Sequence, residues 1–378
     1  MELSTVAPQP VEPVAPSPAH PRTTLHGIRT VARHEFRVRL RTGRWRWMLA
    51  AWFVVLAAFT LFLRKTVDAS YEPDLIDPGV PVFGGLVLAL LGLSLLIVPA
   101  LTAQSVNGDR ERGVLATLQV TLLTPAEIAL GKLAAAWVVS LVFLAAAIPM
   151  VAATMAMGGV RLAQVLPTML VLAVLLGVVA AVAQCLSSLL ARTMTSAVLS
   201  YVAVFALSVG TLITFALALP ITQETVTRTY QQPQYGEDGM EVPGSTPTTQ
   251  SYDESRTRED KVWWLLGPNP FVILADAAPK AAPRLDPRTG QRMDDSLDPL
   301  AEIRNAVRDA RTPPPPAGTP DSDIRYDGFG NPTVEGETGR VWPYGLAFDA
   351  ALGAGAVLIT IRRLRTPATK LPRGIRVA

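Results

Sequence analysis

Six stretches of the chain are apolar over the length that a helix needs to cross a bilayer. A transmembrane helix takes about 20 mainly apolar residues, because every backbone polar group in hydrocarbon must be satisfied within the segment. Charged residues make up 17% of the 378 residues, against about 25% in a typical soluble domain. The predicted spans are 47–63, 81–103, 133–157, 165–191, 196–219 and 342–361. The sequence therefore predicts an all-α polytopic membrane protein with six transmembrane helices.

Basic residues are unevenly distributed among the segments that join these spans. With the N-terminus placed in the cytoplasm, the inner segments hold 18 Lys and Arg residues and the short outer loops hold three. Cytoplasmic loops of membrane proteins carry an excess of Lys and Arg. We therefore expect a multi-pass protein of the cell (cytoplasmic) membrane with both termini inside. The loop 221–340 is then outside, by the count of spans.

The residues before the first span divide into two parts. Residues 1–24 are rich in proline, cannot form a core and are predicted to be disordered. Within 25–40, apolar residues recur at helical spacing among arginines, namely Leu25, Ile28, Ala32, Phe36 and Leu40. This pattern predicts a basic amphipathic helix on the inner leaflet rather than a nucleic-acid-binding arm, because the stretch is tethered at the bilayer. Trp45, Trp47 and Trp52 are predicted to anchor the first span at the membrane interface.

The loop 221–340 is the one long polar region of the chain. It carries 20 acidic and 13 basic side chains, which is a net charge of −7. Because the whole chain has a net charge of +3, the rest of the chain has a net charge of +10. Its scarcity of apolar residues predicts partial disorder. Two pieces differ from the rest. The tryptophans and the Pro-Asn-Pro break of 262–277 favour a segment that enters the outer membrane interface or packs within a small outer domain, and the spacing of apolar residues predicts a helix over 298–310.

The inner loop after the second span, "NGDRERGVLATLQVTLLTPAEIALGK", is longer than a connection between helices requires. Apolar residues within 114–122 recur at helical spacing and predict a first short helix. Thr124 suits an N-cap, Pro125 suits the first helical position, and Glu127 completes a capping box. We therefore expect a second helix that begins at Pro125 and runs into the third span. The residues alone leave two interpretations, a docking surface for a cytosolic protein or a helix lying on the membrane surface.

This loop resembles a motif of the type-2 permease family of ATP-binding-cassette (ABC) exporters. In that family an acidic and basic pair precedes Glu-x-Gly, a Leu-rich run, Thr-Pro and a Gly-Lys that opens the third span. The stretch "ARHEFRVRLRTGRWRW" resembles the family's N-terminal elbow helix, and the ending "RRLRTPATKLPRG" is of the family's kind. The resemblance covers roughly 25–220 and 340–375. The outer loop departs from it by its length, which leaves the substrate class open.

The resemblance implies a role for each part of the chain. The tail 1–24 would precede an elbow helix and five transmembrane helices in 25–220, with a coupling helix at 109–132. An extracytoplasmic loop over 221–340 would lead to a sixth transmembrane helix and a basic tail in 341–378. The coupling helix would sit in a cleft of a separate cytosolic ABC ATPase subunit, which binds ATP and Mg, and two permease subunits would form a homo- or heterodimer. The residues implied to couple the chain to the ATPase are Arg110, Glu111, Arg112, Gly113, Thr124, Pro125, Glu127 and Lys132. Lys132 is also expected to anchor the third span at the membrane interface.

Polar side chains within the spans are the other candidate functional residues. An ionisable side chain at the bilayer centre costs roughly 2.5–3.5 kcal/mol on insertion scales. Asp349 is either a pathway or inter-helix residue, or a hydrated residue near the outer end of the sixth span. Gln184 and its neighbours Ser187, Ser188 and Ser200 are predicted to form hydrogen bonds between helices, with a substrate route as the alternative.

The sequence carries no signature of an enzyme. It has no GxxxxGK[ST] loop, so we expect no ATP site and no cofactor in this chain. Its three histidines all precede the first span, which excludes haem ligation within the membrane by this chain's histidines. The leading hypothesis is an ABC export permease. The alternative is a membrane-anchored binding or sensory protein that acts through 221–340, and an ion-driven transporter is disfavoured because neither broken spans nor buried ion ligands are evident.

Overall fold

The computed structural model describes residues 23–40, 44–70, 77–111, 113, 123–232, 248–280, 298–313, 325–326, 332–333 and 339–365. Several predictions fall outside these residues. They concern the tail up to residue 22, Arg112, the helix within 114–122, parts of the outer loop and the basic tail after Arg365.

Six helical segments are long and apolar enough to cross a membrane. They are Trp45–Ser70, Gly79–Glu111, Pro125–Ala156, Leu162–Leu189, Thr193–Thr222 and Trp342–Leu364. Each overlaps one predicted span, with ends that differ by a few residues. The prediction of a mostly helical chain with six apolar helices of membrane-crossing length is therefore confirmed.

The helices are numbered in chain order, and three of the six segments contain a break or a turn. The helices are α1 (Leu25–Leu40), α2 (Arg44–Ser70), α3 (Gly79–Thr102), α4 (Asn107–Glu111), α5 (Pro125–Ala145), α6 (Ile148–Ala156), α7 (Leu162–Leu189), α8 (Thr193–Phe205), α9 (Thr211–Ala218), α10 (Pro270–Ala277), α11 (Pro299–Arg311) and α12 (Trp342–Leu364). A turn at 103–106 separates α3 from α4, and a short turn at 146–147 separates α5 from α6. A π-helical turn, Ala206–Gly210, joins α8 to α9.

The two ends of the bundle are built from different elements. At the basal end, α1, α4, the start of α5 and the end of α12 come together, and Val106, Ile128 and Leu364 form a small buried cluster. At the distal end, α10 and α11 pack against the start of α12, where Val272, Val307 and Val341 are buried together. The basal and distal ends are therefore held by separate apolar clusters.

Between the ends, the first span packs against the third through aromatic side chains. The rings of Trp45 and Trp52 lie edge-on to Phe143 at 5.3 and 5.4 Å between centroids. The indole N–H of Trp52 donates to the carbonyl oxygen of Phe143 at 2.9 Å. The prediction that all three tryptophans face the membrane interface is therefore wrong for Trp45 and Trp52, which are buried, while Trp47 is 80% exposed.

At the distal end, the segment predicted over 262–277 contains α10, which is buried by protein. Val272, Ile273 and Leu274 are at most 3% exposed. The Asp276 carboxylate accepts hydrogen bonds from the backbone N–H groups of Val341 and Trp342, at 2.6 and 2.7 Å, and thereby caps the start of α12. The structure therefore supports protein packing for α10, whereas Trp264 of the same segment is 59% exposed and its place at the membrane interface stays a prediction. The predicted helix over 298–310 is confirmed as α11.

A β-hairpin, which was not predicted from the sequence, follows the fifth span. Strands β1 (Gln223–Gln232) and β2 (Thr248–Thr257) pair antiparallel, with Gln223 opposite Thr257. A second, minimal pair joins β3 (Arg325–Tyr326) to β4 (Pro332–Thr333). At the base of the first hairpin, the Arg258 guanidinium donates to the carboxylates of Glu224 and Asp260, each at 2.8 Å.

Candidate functional site

The capping box predicted from Thr-x-x-Glu forms the start of α5. Thr124 is extended, with φ −72 and ψ 152, and its hydroxyl accepts a hydrogen bond from the Glu127 N–H at 3.2 Å. In return, the Glu127 carboxylate accepts from the Thr124 N–H at 2.7 Å. Pro125 occupies the first turn, where no backbone donor is needed. The predicted helix start is therefore confirmed at each of these three residues.

The same Glu127 side chain also holds α1. Its second carboxylate oxygen accepts from the N–H and from the hydroxyl of Thr24, at 2.8 and 2.6 Å, immediately before α1 begins. Glu127 is 3% exposed, so these bonds form largely away from water. One carboxylate thus ties the first turn of α5 to the beginning of α1.

Two helices can approach this closely because small residues lie where they cross. A Cβ atom added at Gly131 of α5 would lie 2.5 Å from Cβ of Val31 and 2.9 Å from the carbonyl oxygen of Ile28. A side chain at Gly27 of α1 would collide with Glu127. Because Val31 is buried in this contact, α1 uses Gly27 and Val31 to pack on α5, and Leu25 is left 85% exposed. The predicted helix is present as α1. Three residues of its predicted apolar face, Ile28, Ala32 and Phe36, are half-buried, and Phe36 packs against the core of the bundle.

Lys132, the residue after Gly131 in α5, lies between two carboxylates. Its ammonium group forms ion pairs with Glu35 of α1 and Asp109 of α4. The Lys132 side chain is 1% exposed, against 20% for Glu35 and 10% for Asp109. A lysine that anchors a helix at the membrane interface extends its charge into water. The prediction that Lys132 is an interfacial anchor is therefore wrong, and the residue instead joins three helices.

The charged residues of α4 are not all on the same side of the helix. Asp109 is buried towards Lys132, whereas Arg110 and Glu111 are exposed at the end of the helix. Gly113 follows with φ +71, a conformation that residues with a Cβ atom adopt at a cost of roughly 1 kcal/mol. No described atom lies within 4 Å of the position that its Cβ would take. Arg110, Glu111 and Gly113 thus form an exposed tip directly after the buried Asp109.

Helix α7 and the start of α8 form hydrogen bonds with the segment that leads to this tip and with α5. The Ser187 hydroxyl accepts from the N–H groups of Val106 and Asn107 and donates to the Asn107 side chain at 2.8 Å. The Gln184 amide donates to the carbonyl oxygen of Ala129 at 2.8 Å. The Glu111 carboxylate accepts from the Thr193 N–H at 3.3 Å. Helices α4 and α5 are therefore fixed to α7 and α8 as well as to α1.

The four polar residues predicted to bond between helices divide into two pairs. Gln184 and Ser187 do so, which confirms that prediction for them. Ser188 and Ser200 instead donate to carbonyl oxygens of Cys185 and Ser196 in their own segments. Asp349 lies elsewhere in the bundle and is 2% exposed, so the interpretation of it as a hydrated interfacial residue is wrong.

The structure unites most of the predicted coupling residues and adds two that were not predicted, Thr24 and Glu35. Thr124, Pro125, Glu127 and Lys132 form the base, of which Glu127 and Lys132 are buried, and Arg110, Glu111 and Gly113 form the exposed tip; Arg112 lies outside the described residues. Asp109, which the sequence places in the same charge cluster as Arg110 and Glu111, faces inward instead. A signal for Glu35 was present, since it is the only acidic residue among the 16 of α1. Within the described ranges, no group of three or more His, Cys, Asp and Glu side chains is placed to hold a metal ion.

Comparison with known proteins does not identify this site. No protein-family model matches the chain, and no curated protein matches it at a significant level.

Proposed function

We propose that the chain is the permease subunit of an ABC transporter, acting as an exporter and driven by a separate ATPase subunit that binds ATP and Mg. The observation that carries the proposal is the direct link between an exposed polar tip and a transmembrane helix. The tip of Arg110, Glu111 and Gly113 begins directly after Asp109, and Asp109 is paired with Lys132 at the start of the third span. A partner that moves the tip would therefore move the third span with it.

The chemistry of the tip favours a protein partner. Arg110 and Glu111 present charges of both signs, and Gly113 turns the chain sharply where its neighbourhood is open. A surface helix bound only to lipid would bury an apolar face, whereas α4 buries Asn107, Gly108 and Asp109 against protein. The tip is thus suited to a polar cleft, as the resemblance to type-2 ABC permeases implies.

In this proposal the basal end of the bundle lies in the cytoplasm of the cell that carries the protein. The exposed side chains of α1 there include Arg29, Arg33 and Arg37, and Lys and Arg are enriched on the cytoplasmic side of membrane proteins. The distal end, with its hairpin, α10 and α11, then lies outside. Both termini follow the basal end into the cytoplasm.

A second permease subunit is part of the proposal, because two spans leave much of their apolar surface uncovered. In Thr193–Thr222 only three serines, Ser196, Ser200 and Ser208, are buried, and 17% of the residues are buried in the most apolar stretch of Trp45–Ser70. Val202, Phe205 and Leu212 are about half exposed. Lipid and a second permease chain, identical or different, would cover these surfaces.

The test is site-specific cross-linking at the tip. The single native cysteine, Cys185, is buried and is replaced by alanine, and a new cysteine is placed at Arg110, which leaves the Glu111–Thr193 hydrogen bond intact. The variant is co-expressed with a candidate cytosolic ABC ATPase. We expect an adduct whose yield changes when ATP is added.

A cysteine at Trp264, exposed at the distal end, is the control and should give no adduct. Equal cross-linking at both positions, or none at Arg110, would contradict the proposal. The alternative of a sensory or binding protein acting through 221–340 is not favoured, because α10 and α11 of that region are packed into the distal end of the bundle.

A further inference from the structure

The sixth span carries a buried carboxyl group that the coupling site does not use. Asp349 lies two turns inside α12 and is 2% exposed. Its Oδ1 atom is buried, and no described residue gives it a hydrogen bond. Polar residues at this depth in a membrane protein are costly and are often functional.

Asp349 faces a narrow cavity where α3, α7, α8, α10 and α12 meet. Apart from Asp349, the cavity is lined by apolar side chains and by the serines Ser200 and Ser208. The space open to the centre of a water-sized sphere is ≈ 10 Å³, which is about the minimum for one water molecule. The site therefore suits a single water and is too small for a cargo molecule.

Ser208 supplies a second unsatisfied group on this cavity. It belongs to the π-helical turn of the fifth span, is 8% exposed, and its hydroxyl has no hydrogen-bond partner among the described residues. The carbonyl oxygen of Ser208 is already engaged by the Asn269 amide at 2.6 Å, which orients the turn. Turns of this π type occur frequently at functional sites.

The titratable groups of the helices around this cavity are directed elsewhere. Cys185 of α7 packs with Ala181 and Ala356. The Tyr201 hydroxyl of α8 donates to the carbonyl oxygen of Leu96. Asp276 of α10 is paired with Arg308 and caps α12, and α3 has no titratable residue. No cation on these helices faces the Asp349 carboxyl group in the described part of the chain.

The protonation state of Asp349 follows from this environment. An ionised carboxylate in an apolar site without a cation is so costly that such a group takes up a proton instead. As a carboxylic acid, Asp349 has one O–H donor and a free carbonyl oxygen, while Ser208 has one donor and two lone pairs. One water between them satisfies both groups without a buried charge.

We propose that Asp349 is a proton-binding site of the membrane bundle, at which the carboxylic acid is bridged by one water to the hydroxyl of Ser208. Any movement that opens the cavity to bulk water hydrates the carboxyl group and lets it release its proton to the solvent, and closure takes a proton up. Opening and closing of the bundle is then linked to pH. This inference rests on the cavity alone and does not require the ATPase partner.

The experiment is infrared difference spectroscopy on the full chain in lipid vesicles at neutral pH. We expect a C=O stretching band of a protonated carboxylic acid that disappears in folded Asp349→Asn. In Ser208→Ala the band should remain and shift, because its hydrogen-bonded bridge is lost. Asp68→Asn, at an exposed carboxylate paired with Arg64, is the matched control and should leave the band unchanged.

Two results would overturn the inference. One is a wild-type spectrum without a protonated-carboxyl band, which would show that Asp349 is ionised. The other is a protonated-carboxyl band that has the same frequency in Ser208→Ala as in the wild type. The Ser208→Ala comparison also decides the question if Asp349→Asn does not fold. Because no ATPase is present in the sample, neither result bears on the proposed function, and a failed cross-link at Arg110 leaves the infrared result standing.

Discussion

The Lys132 ammonium group is held by carboxylates from two other helices, Glu35 and Asp109, and its side chain has almost no contact with solvent. Moving such charges out of water costs several kcal/mol per ion, and their attraction only offsets this when the geometry is good. A buried cluster of this kind therefore contributes little net stability. It does specify which helices meet, because any arrangement that separates the three charges leaves them buried and unpaired.

Replacing Lys132 by methionine is expected to destabilise the protein strongly. The substitution keeps the side-chain volume but removes the shared cation from the buried Asp109 and the partly buried Glu35, and breaking a buried ion pair in this way costs about 3–5 kcal/mol. The free energy of unfolding in detergent micelles measures it. Arg110→Met, at an exposed position nearby, should change it by no more than about 0.5 kcal/mol. Combining Lys132→Met with Glu35→Gln and Asp109→Asn should recover much of the loss, and a triple variant as unstable as the single one would refute the ionic explanation.

Residues whose partners are close in the sequence could be predicted, and those with distant partners could not. The capping box joins Thr124 to Glu127 across three residues, so the motif alone locates the helix start. Lys132 pairs with Glu35 across 97 residues and with Asp109 across 23. A lysine near the end of an apolar run is read as interfacial unless those partners are known. The burial of Asp349 likewise depends on four neighbouring helices.

At the scale of the helices, the close crossing of α1 and α5 is the contact most sensitive to side-chain volume. Gly131→Ala places a methyl group 2.9 Å from the backbone oxygen of Ile28, which cannot rotate away. Overpacking of this kind typically costs about 1–3 kcal/mol. We expect α1 to detach partly, with faster hydrogen exchange over residues 25–40. Gly355→Ala adds the same methyl group to α12 with no described atom within 4 Å, and exchange in α1 should not change.

The base of the β1–β2 hairpin is expected to loosen in acid. Hydrogen bonds from Arg258 hold the pKa of Asp260 and of Glu224 below their usual values. Because the pKa is lower in the folded state, this stabilisation is complete above the ordinary carboxyl pKa of about 4 and is lost as the pH falls through the depressed value. A nitroxide at Ser255 should be more mobile at a pH of about 3 than at about 7. Arg258→Gln should make it mobile already at neutral pH, and a parent signal that does not respond to acid would contradict this role of Arg258.

As with the residues, the elements defined by local sequence could be predicted, and those defined by distant contacts could not. Long apolar runs predict the six spans because the bilayer dictates their length. The hairpin was missed, since β1 and β2 are polar and their pairing with each other, rather than an apolar pattern, defines the strands. The burial of α10 was left open, because its apolar residues suit lipid and protein equally well. Contacts with distant elements, such as those of Asp276 with the start of α12, distinguish the two.

For the whole molecule, we infer that the exposed tip moves as one body with the third span. The tip and the base of that span share the buried ions Asp109 and Lys132, and α1, α7 and α8 hold them from three other sides. We therefore expect a force applied at this tip to reach the bundle through α5. A flexible loop at the same place would absorb the movement.

The distance between nitroxides at Arg110 and at Val138, an exposed residue of α5, tests this claim most directly. Both labels are introduced with Cys185 replaced by alanine, and the distance distribution is measured by pulsed electron resonance in lipid. We predict one narrow distribution in the parent protein and a clearly broader one in Lys132→Met. A parent distribution as broad as that of the variant would contradict the rigid link between the tip and the third span.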